Sequence, residues 1–289
     1  MNRATLAAFI IPLAVTSTST CFASAAETVP DDSFLSNWLG NVSKTQELQP
    51  HWETLLYMPS PRLTQGLRLN YSRQYFPGGS TLENFGMGKG LELIVDENVE
   101  VQIGVPPYIN SKSPKGDSSG WADETFVGRY RLASANEENG NYIVSSSIGV
   151  SIPSGSDQFS AHSSIYTLAL AGGKGWGTRE SGVSIQSTVS MNAPDNDLAT
   201  IGMPLSWTTA LQAHVLQNIW PEIEASYTHW YKGILDGRSQ LVMTYGITFG
   251  RFEIENREKL TFGIGYQEPR FTHFSNFSRT WVSTMKLSF

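Results

Sequence analysis

His162 and Ser164 are the residues whose types and spacing come nearest to a catalytic pair. Residues two apart on a strand share a face, so a His-x-Ser pair could place a base beside a hydroxyl nucleophile. The histidine also needs a third group to orient it, and Asp157 and Asp195 could reach it only from predicted loops. A lipid hydrolase therefore stays an alternative, and a loop histidine beside serines is the favoured interpretation. We predict no catalytic residue and no enzyme.

Two glycine-rich runs, 86–90 and 173–177, partly match phosphate-binding loops. Neither contains a full nucleotide-binding fingerprint, and Lys174 is followed by Gly175 where a phosphate loop needs Ser or Thr. Glycines at strand ends more often relieve crowding or form bulges. The histidines are widely scattered and Cys21 is the one cysteine. The sequence therefore predicts neither a cofactor nor a metal site.

Charged side chains recur at alternating positions of the predicted strands, on the face that also carries serines, threonines and glycines. Such a face suits the lumen wall of a barrel. The residues form a predicted charged belt: Arg68, Glu92, Glu100, Arg129, Arg131, Glu222, Glu224 and Lys286. Two interpretations stay open, because the opposite charges could neutralise one another across a narrow lumen or form a polar constriction that controls passage. Within the belt, we expect Glu100 to pair with Arg131.

The elements that would position these side chains are strands with a period of two. Phe262 and Ile264, for example, alternate with Thr261 and Gly263. About twelve such runs lie between residues 67 and 289, and an even number suits a closed bacterial barrel. We therefore predict an all-β fold, a transmembrane antiparallel up-and-down β-barrel with a short N-terminal segment that contains one amphipathic helix.

The connectors between these runs mostly alternate between short and long. This is the asymmetry of short periplasmic turns and longer outer loops, and it places both termini on the periplasmic side. The connector 107–124 is predicted to be a long outer loop. The segments 173–181 and 251–258 are inner turns longer than is usual.

Both ends of the chain carry targeting features. Residues 1–25 have a basic start, an apolar stretch and a small-x-small end, which predicts a signal peptide. Residues 26–60 would form a periplasmic or plug segment, and residues 61–289 the barrel. The last strand ends on Phe289 and resembles the terminal strand of bacterial outer-membrane barrels. That resemblance implies that Phe289 is an assembly signal, with the barrel assembly machinery and outer-membrane lipid as partners.

Aromatic residues near the strand ends predict interfacial girdles on the barrel surface. The girdle residues are Trp207, Trp220, Trp230, Tyr266 and Trp281. The formal charge of −6 and the absence of a basic cluster argue against nucleic acid as a partner. The predicted location is the outer membrane of a Gram-negative-type bacterium, after cleavage of the signal peptide.

Several strings resemble those of a group of bacterial outer-membrane β-barrel proteins. They are residues 61–65, 88–94, 99–109, 129–140 and 173–177. The group is similar to the family labelled "MetA-pathway of phenol degradation", transporters for aromatic compounds. The resemblance covers most of residues 50–289 and implies a channel or transporter for small, aromatic or hydrophobic compounds. A side-chain-filled barrel with a structural or binding role stays open as the alternative.

Overall fold

The chain folds into one closed antiparallel β-sheet, in a computed structural model that describes residues 33–216, 218–255, 257–270 and 277–289. Closure follows because the first and last strands of the described sheet, β1 and β15, are hydrogen-bonded to each other. The strands are β1 (Gly66–Tyr75), β2 (Thr81–Gly86), β3 (Gly90–Asp96), β4 (Val99–Gly104), β5 (Tyr108–Lys112), β6 (Ser118–Trp121), β7 (Glu124–Ala135), β8 (Tyr142–Ile152), β9 (Ile165–Gly177), β10 (Gly182–Pro194), β11 (Met203–His214), β12 (Ile219–Tyr231), β13 (Ser239–Glu255), β14 (Glu258–Arg270) and β15 (Arg279–Ser288). The helices are α1 (Ser33–Glu47) and α2 (Leu198–Ile201).

These strand segments make a barrel of twelve strands, because three neighbouring barrel strands are each interrupted once. The interrupted strands consist of β2 with β3, β4 with β5, and β6 with β7. The second interruption contains Pro106 and Pro107, which lack the backbone N–H group that a ladder hydrogen bond needs. The predicted all-β antiparallel barrel of about twelve strands is confirmed.

The connectors differ from the sequence prediction in two ways. Residues 107–124, expected to be one long outer loop, contain the paired segments β5 and β6, which lengthen the third and fourth barrel strands. At the opposite end, β9 continues to Gly177 and β13 to Glu255, so the turns that follow them are short. Glycines in β9 and charged residues in β13 hide the alternation that would have marked these extensions.

The barrel is apolar outside and polar inside. Outward-facing Leu168 and Ile264 are 62% and 50% exposed, whereas inward-facing Gln186 and Thr248 have no exposed surface. A water-soluble barrel would bury the apolar face, so this distribution is typical of a barrel surrounded by lipid. Neither helix in the described part of the chain is long and apolar enough to cross a membrane.

The two ends of the barrel differ, and we name them by their connections. The inner end carries α1 and the short turns, including residues 97–98 and 178–181; the outer end carries the longer connections, including 153–164. α1 lies across the inner end, where Val42 packs against Ile94, and Trp38 Nε1 donates to the Ile94 carbonyl at 2.6 Å. The predicted signal peptide, residues 1–25, lies outside the described residues.

Candidate functional site: a segment bound inside the barrel

Residues 48–65, between α1 and β1, run inside the inner half of the barrel, and we call this segment the plug. It contains neither helix nor strand. Leu55, Leu56 and Met58 have no exposed surface, and Leu55 and Met58 pack against Ala210 of the wall. An irregular segment inside a barrel has no neighbouring strand to pair with, so its buried backbone groups need side-chain partners. The predicted charged belt supplies many of them.

The carboxylates of Glu222 and Glu224, on β12, bind successive backbone N–H groups of the plug. Leu56 N–H donates to Glu222 at 2.7 Å, while Tyr57 and Met58 donate to the two oxygens of Glu224 at 2.9 and 2.7 Å. Both glutamates are buried, at 3% and 1% exposure. Two carboxylates two residues apart share the inward face of one strand, which is why they meet adjacent plug residues.

Arginines of the wall bind the carbonyl groups of the same segment. Arg68 Nη2 donates to the carbonyls of Leu55 and Leu56 at 2.7 and 2.9 Å. Arg251 Nη2 donates to the carbonyl of Trp52 at 2.9 Å. The plug backbone is therefore bound through its donors by glutamates and through its acceptors by arginines.

A second set of contacts binds the plug on either side of residues 55–58, at Thr54 and at Thr64. Thr64 donates its N–H to Glu100 and its hydroxyl to Glu92. Lys286 Nζ donates to the hydroxyl of Thr54 at 2.8 Å and lies 3.9 Å from the Glu92 carboxylate. All eight residues of the charged belt are buried, at 1% to 8% exposure. Seven of the eight form hydrogen bonds with the plug and Arg131 does not, an arrangement that neither interpretation of the belt included.

The expected pair between Glu100 and Arg131 is wrong, and the strand register gives the reason. β4 and β7 place Glu100 directly opposite Arg129, and these two side chains form a buried ion pair. Arg131 lies beyond the end of this ladder. It donates to the carbonyl of Thr45, in the last turn of α1, at 2.9 Å and to the carbonyl of Glu97 at 2.8 Å.

Glycines of the wall make room for Leu56 of the plug. A Cβ atom placed on Gly246 or Gly263 would lie 2.9 Å from the Leu56 side chain, and one placed on Gly265 would overlap it. Real Cβ atoms essentially never approach other atoms so closely. The wall therefore leaves space at this level, and the plug fills it.

Gly173 and Gly175, part of a run that partly matched a phosphate loop, make room for Trp52 in the same way. A Cβ atom on either glycine would lie 2.6 Å from the indole ring. The indole Nε1 donates to the side chain of Asn141 at 2.9 Å. Both glycines lie within β9, which fits the crowding-relief interpretation and no nucleotide loop.

The start of the plug is tied to an inner turn by His51 and Glu137. The Glu137 carboxylate lies 2.8 Å from His51 Nδ1 and accepts the backbone N–H of His51 at 2.6 Å. Burial tends to raise the pKa of Glu137, but the hydrogen bonds from His51 outweigh burial and lower this pKa to about 2. The carboxylate is therefore ionised across the whole neutral range.

The predicted aromatic girdle residues divide into two groups. Trp207 and Trp281 point outward and are 60% and 46% exposed, and Tyr266 packs against Trp281 with 5.2 Å between the ring centroids. These three lie on the outward face, as a girdle requires.

Trp220 does not fit the girdle prediction, because it shares the inward parity of Glu222 and is 1% exposed. Its ring stacks on His214 at 4.4 Å, and the guanidinium of Arg251 lies 5.1 Å from its centroid. Trp230 has the same inward parity, near the outer end of β12. The period of two along β12 accounts for the inward direction of both residues.

His162 and Ser164 are not arranged as a catalytic pair. Both precede β9, which begins at Ile165, so they do not share a strand face. His162 Nε2 lies 3.0 Å from the carbonyl oxygen of Asp157. Asp195 instead accepts the Ser164 N–H at 3.0 Å, which fixes the loop to the next connection. No group of three or more acidic, histidine or cysteine side chains in the described residues is placed to hold a metal ion.

Comparisons with known proteins define the fold class. The chain is similar to the COG4313 outer membrane channel from Pseudomonas putida F1, with 13% identity and a TM-score of 0.53 over 78% of this chain and 96% of that one. The beta domain of the Bordetella autotransporter Brka is 12% identical, with a TM-score of 0.49 over 78% of this chain and 100% of that one. The NanC porin is 8% identical, with a TM-score of 0.46 over 76% of this chain and 98% of that one. No family model and no curated sequence matches. The likeness to the COG4313 channel supports the fold of an outer-membrane β-barrel.

Proposed function

We propose that this protein is an outer-membrane channel or transporter that is closed at its inner end by the plug. One observation carries the proposal: the wall does not fill its own lumen at this level, because glycines such as Gly265 leave space that Leu56 occupies. A segment that pairs with no strand can move without breaking the barrel ladder. The apolar outer surface supports a location in the outer membrane, reached after removal of residues 1–25.

We assign small compounds, aromatic or hydrophobic in kind, as the solutes. This substrate class rests on the sequence resemblance to the phenol-degradation transporter family. A barrel of twelve strands lies between eight-stranded barrels, which hold only side chains, and sixteen-stranded ones, which leave an aqueous channel. Displacement of the plug is therefore the step that would create a passage.

A side-chain-filled barrel without transport is the second candidate, and contacts in the outer half favour it. Gln267 Nε2 donates to the hydroxyl of Thr244 at 2.9 Å, and the opposite residue Thr280 is 4% exposed. The contact joins neighbouring strands, and the low exposure of Gln267 and Thr280, at 5% and 4%, means that little of the lumen surface at this level is open to solvent. The two candidates differ in whether freeing the plug opens a conducting path.

A disulfide between the plug and the wall separates these candidates. Leu56→Cys and Gly265→Cys replace two residues in direct contact, and Cys21, the one native cysteine, lies within the predicted signal peptide. For a channel, the reduced double variant should show occasional openings in planar bilayers, as the plug is transiently released, and the oxidised form should show none, while the single variant Leu56→Cys should not respond to oxidation. Phenol added to the reduced protein should interrupt the current if aromatic compounds are the solutes. Absence of current from the oxidised and the reduced forms, and from a variant lacking residues 48–60, would establish the filled barrel.

A further inference from the structure

A cavity of about 330 Å³ lies at the inner end, between α1, the plug and the ends of β13, β14 and β15. It is far larger than the roughly 30 Å³ that one water molecule occupies in the liquid. Two anionic side chains line it, Glu47 and Glu53. Six cationic side chains line it as well: Arg62, Arg179, Arg251, Arg257, Lys259 and Lys286.

Some of these cations already have carboxylate partners. Arg251 is paired with Glu53 at 2.8 Å, and Arg179 with Glu47 at 3.4 Å. Lys259 lies 3.6 Å from a glutamate on β13 that is exposed to solvent. These pairs account for both anionic side chains of the cavity and leave positive charge in excess.

Arg62 and Arg257 have no carboxylate partner among the described residues. Arg257 Nη1 donates to the carbonyl of Leu39 at 3.3 Å, and its side chain is exposed. Arg62 is 8% exposed and donates through Nη1 to the carbonyl of Trp52, while its Nε is buried and makes no hydrogen bond within the described chain. A buried donor without a partner destabilises the fold unless a ligand or water accepts its hydrogen bond.

We propose that this cavity binds a small oxyanion, a phosphate or a carboxylate, through Arg62 with Arg257 and Lys259 at its rim. A guanidinium can donate two hydrogen bonds to the oxygens of such a group, and Nε of Arg62 is a donor that the described chain leaves without an acceptor. The bound anion would connect the plug, which carries Arg62, to the turn between β13 and β14, which carries Arg257.

The ligand is a soluble anion rather than a lipid headgroup. Thr64 and Gln65 also line the cavity, and they are buried inside the barrel at 5% and 1% exposure. The cavity therefore reaches into the barrel interior, on the side of the wall away from the lipid-facing surface. An anion that binds only when the plug is in place would also stabilise the closed arrangement by mass action.

Inorganic phosphate is the probe for the test. The full chain, folded in an uncharged detergent and held in constant chloride, should give saturable binding of phosphate in a ³¹P NMR titration, and sulfate should compete with it. Arg62→Gln should weaken binding at least about tenfold, and Arg257→Gln by a smaller factor, since each removes a charge-assisted contact. Lys115→Gln, an exposed change at the outer end, should leave binding unchanged.

If Arg62→Gln fails to fold, Arg257→Gln and Lys259→Gln still test the proposal, because these two side chains lie at the rim of the cavity. Folding of every variant is checked by the faster migration of unheated barrels in gels. Lack of saturable binding beyond that of chloride would overturn the proposal, and so would phosphate binding that Arg257→Gln and Lys259→Gln leave intact. The titration measures occupancy and not passage, so its outcome is independent of whether the barrel conducts.

Discussion

A hydrogen bond of 2.7 Å joins the N–H of Met58 in the plug to the carboxylate of Glu224 in the barrel wall. The two residues are 166 positions apart in the chain. The other oxygen of the same carboxylate accepts the N–H of Tyr57. Hydrogen bonds to charged groups typically contribute about 1.5 to 3 kcal/mol each. The plug is thus held by a few strong contacts and not by a β-ladder, so single substitutions should release it while the barrel remains intact.

Glu224→Gln should loosen the plug. The amide keeps one acceptor oxygen but places an NH2 group against a backbone N–H, so one of the two hydrogen bonds is lost and two donors face each other. We expect a higher open probability in planar bilayers and faster cleavage of the plug by added protease. The variant should still migrate as a folded barrel on unheated gels.

Glu268→Gln is the matched control for this change. Glu268 lies near the outer end of β14, where it pairs with Arg270 and shares the outward parity of the exposed residues Phe262 and Ile264, so it faces away from the plug. It should leave opening and plug cleavage as they are in the parent protein. Equal effects of the two substitutions would show that loss of a wall carboxylate, and not release of the plug, changes the channel.

Gly265→Ala should displace the plug by contact rather than by charge. Its new methyl group would overlap the Leu56 side chain, and overpacking of this kind typically costs about 1 to 3 kcal/mol. Leu56→Ala in the same chain should restore the closed state, because it removes the atoms that collide. Gly128→Ala serves as the control, since a Cβ atom there would meet its nearest neighbour at an ordinary 3.9 Å. Proteolysis of the plug compares all four proteins, and a double variant as open as Gly265→Ala alone would refute the contact argument.

Local alternation was enough to predict the barrel and the inward direction of its charges. A period of two assigns every residue of a strand to one face, so Glu222 and Glu224 could be placed from their spacing alone. The same rule would have placed Trp220 correctly, because it stands two residues before Glu222. Position near a strand end does not by itself make a tryptophan interfacial, because parity decides which face it occupies.

The partners of those charges could not be predicted, because they depend on register and on a segment without periodicity. Pairing of Glu100 with Arg129 rather than Arg131 is set by the offset of β4 against β7, which no local pattern specifies. The plug lacks the repeat of a helix or a strand, so its course through the lumen left no signal. Wall glycines are a weak trace of it, since a glycine within a strand often marks the close approach of another group, as Gly173 and Gly175 do for Trp52 and Gly265 does for Leu56.

Arg129 and Arg131 should have separable effects, although they stand two residues apart on one face. Arg129→Gln leaves Glu100 without its ion partner, so amide exchange should rise at Thr64, whose N–H binds Glu100. Arg131→Gln should instead raise exchange in the last turn of α1, where Arg131 binds the carbonyl of Thr45. Hydrogen exchange measured by mass spectrometry on both variants gives the comparison. The same exchange pattern in the two proteins would contradict this division of roles.

The contact between Glu137 and His51 should make the start of the plug sensitive to acid. The pKa of Glu137 is lowered from about 4.5 to about 2, because the hydrogen bonds from His51 outweigh the opposing effect of burial. A group whose pKa is lower in the folded state contributes stability above its ordinary pKa and loses it as the pH falls through the folded value. The contribution should therefore be complete above about pH 4.5 and disappear as the pH approaches 2.

Pepsin, which cleaves in acid, measures this loss directly. In the parent protein, cleavage near His51 should increase steadily between pH 4.5 and pH 2.5, while the unheated barrel keeps its fast gel migration. Glu137→Gln should already be cleaved quickly at pH 4.5 and should change less with pH, since its side chain cannot ionise. The difference between the two proteins isolates the contribution of Glu137. Parallel pH profiles would mean that the pair with His51 does not hold the plug in place.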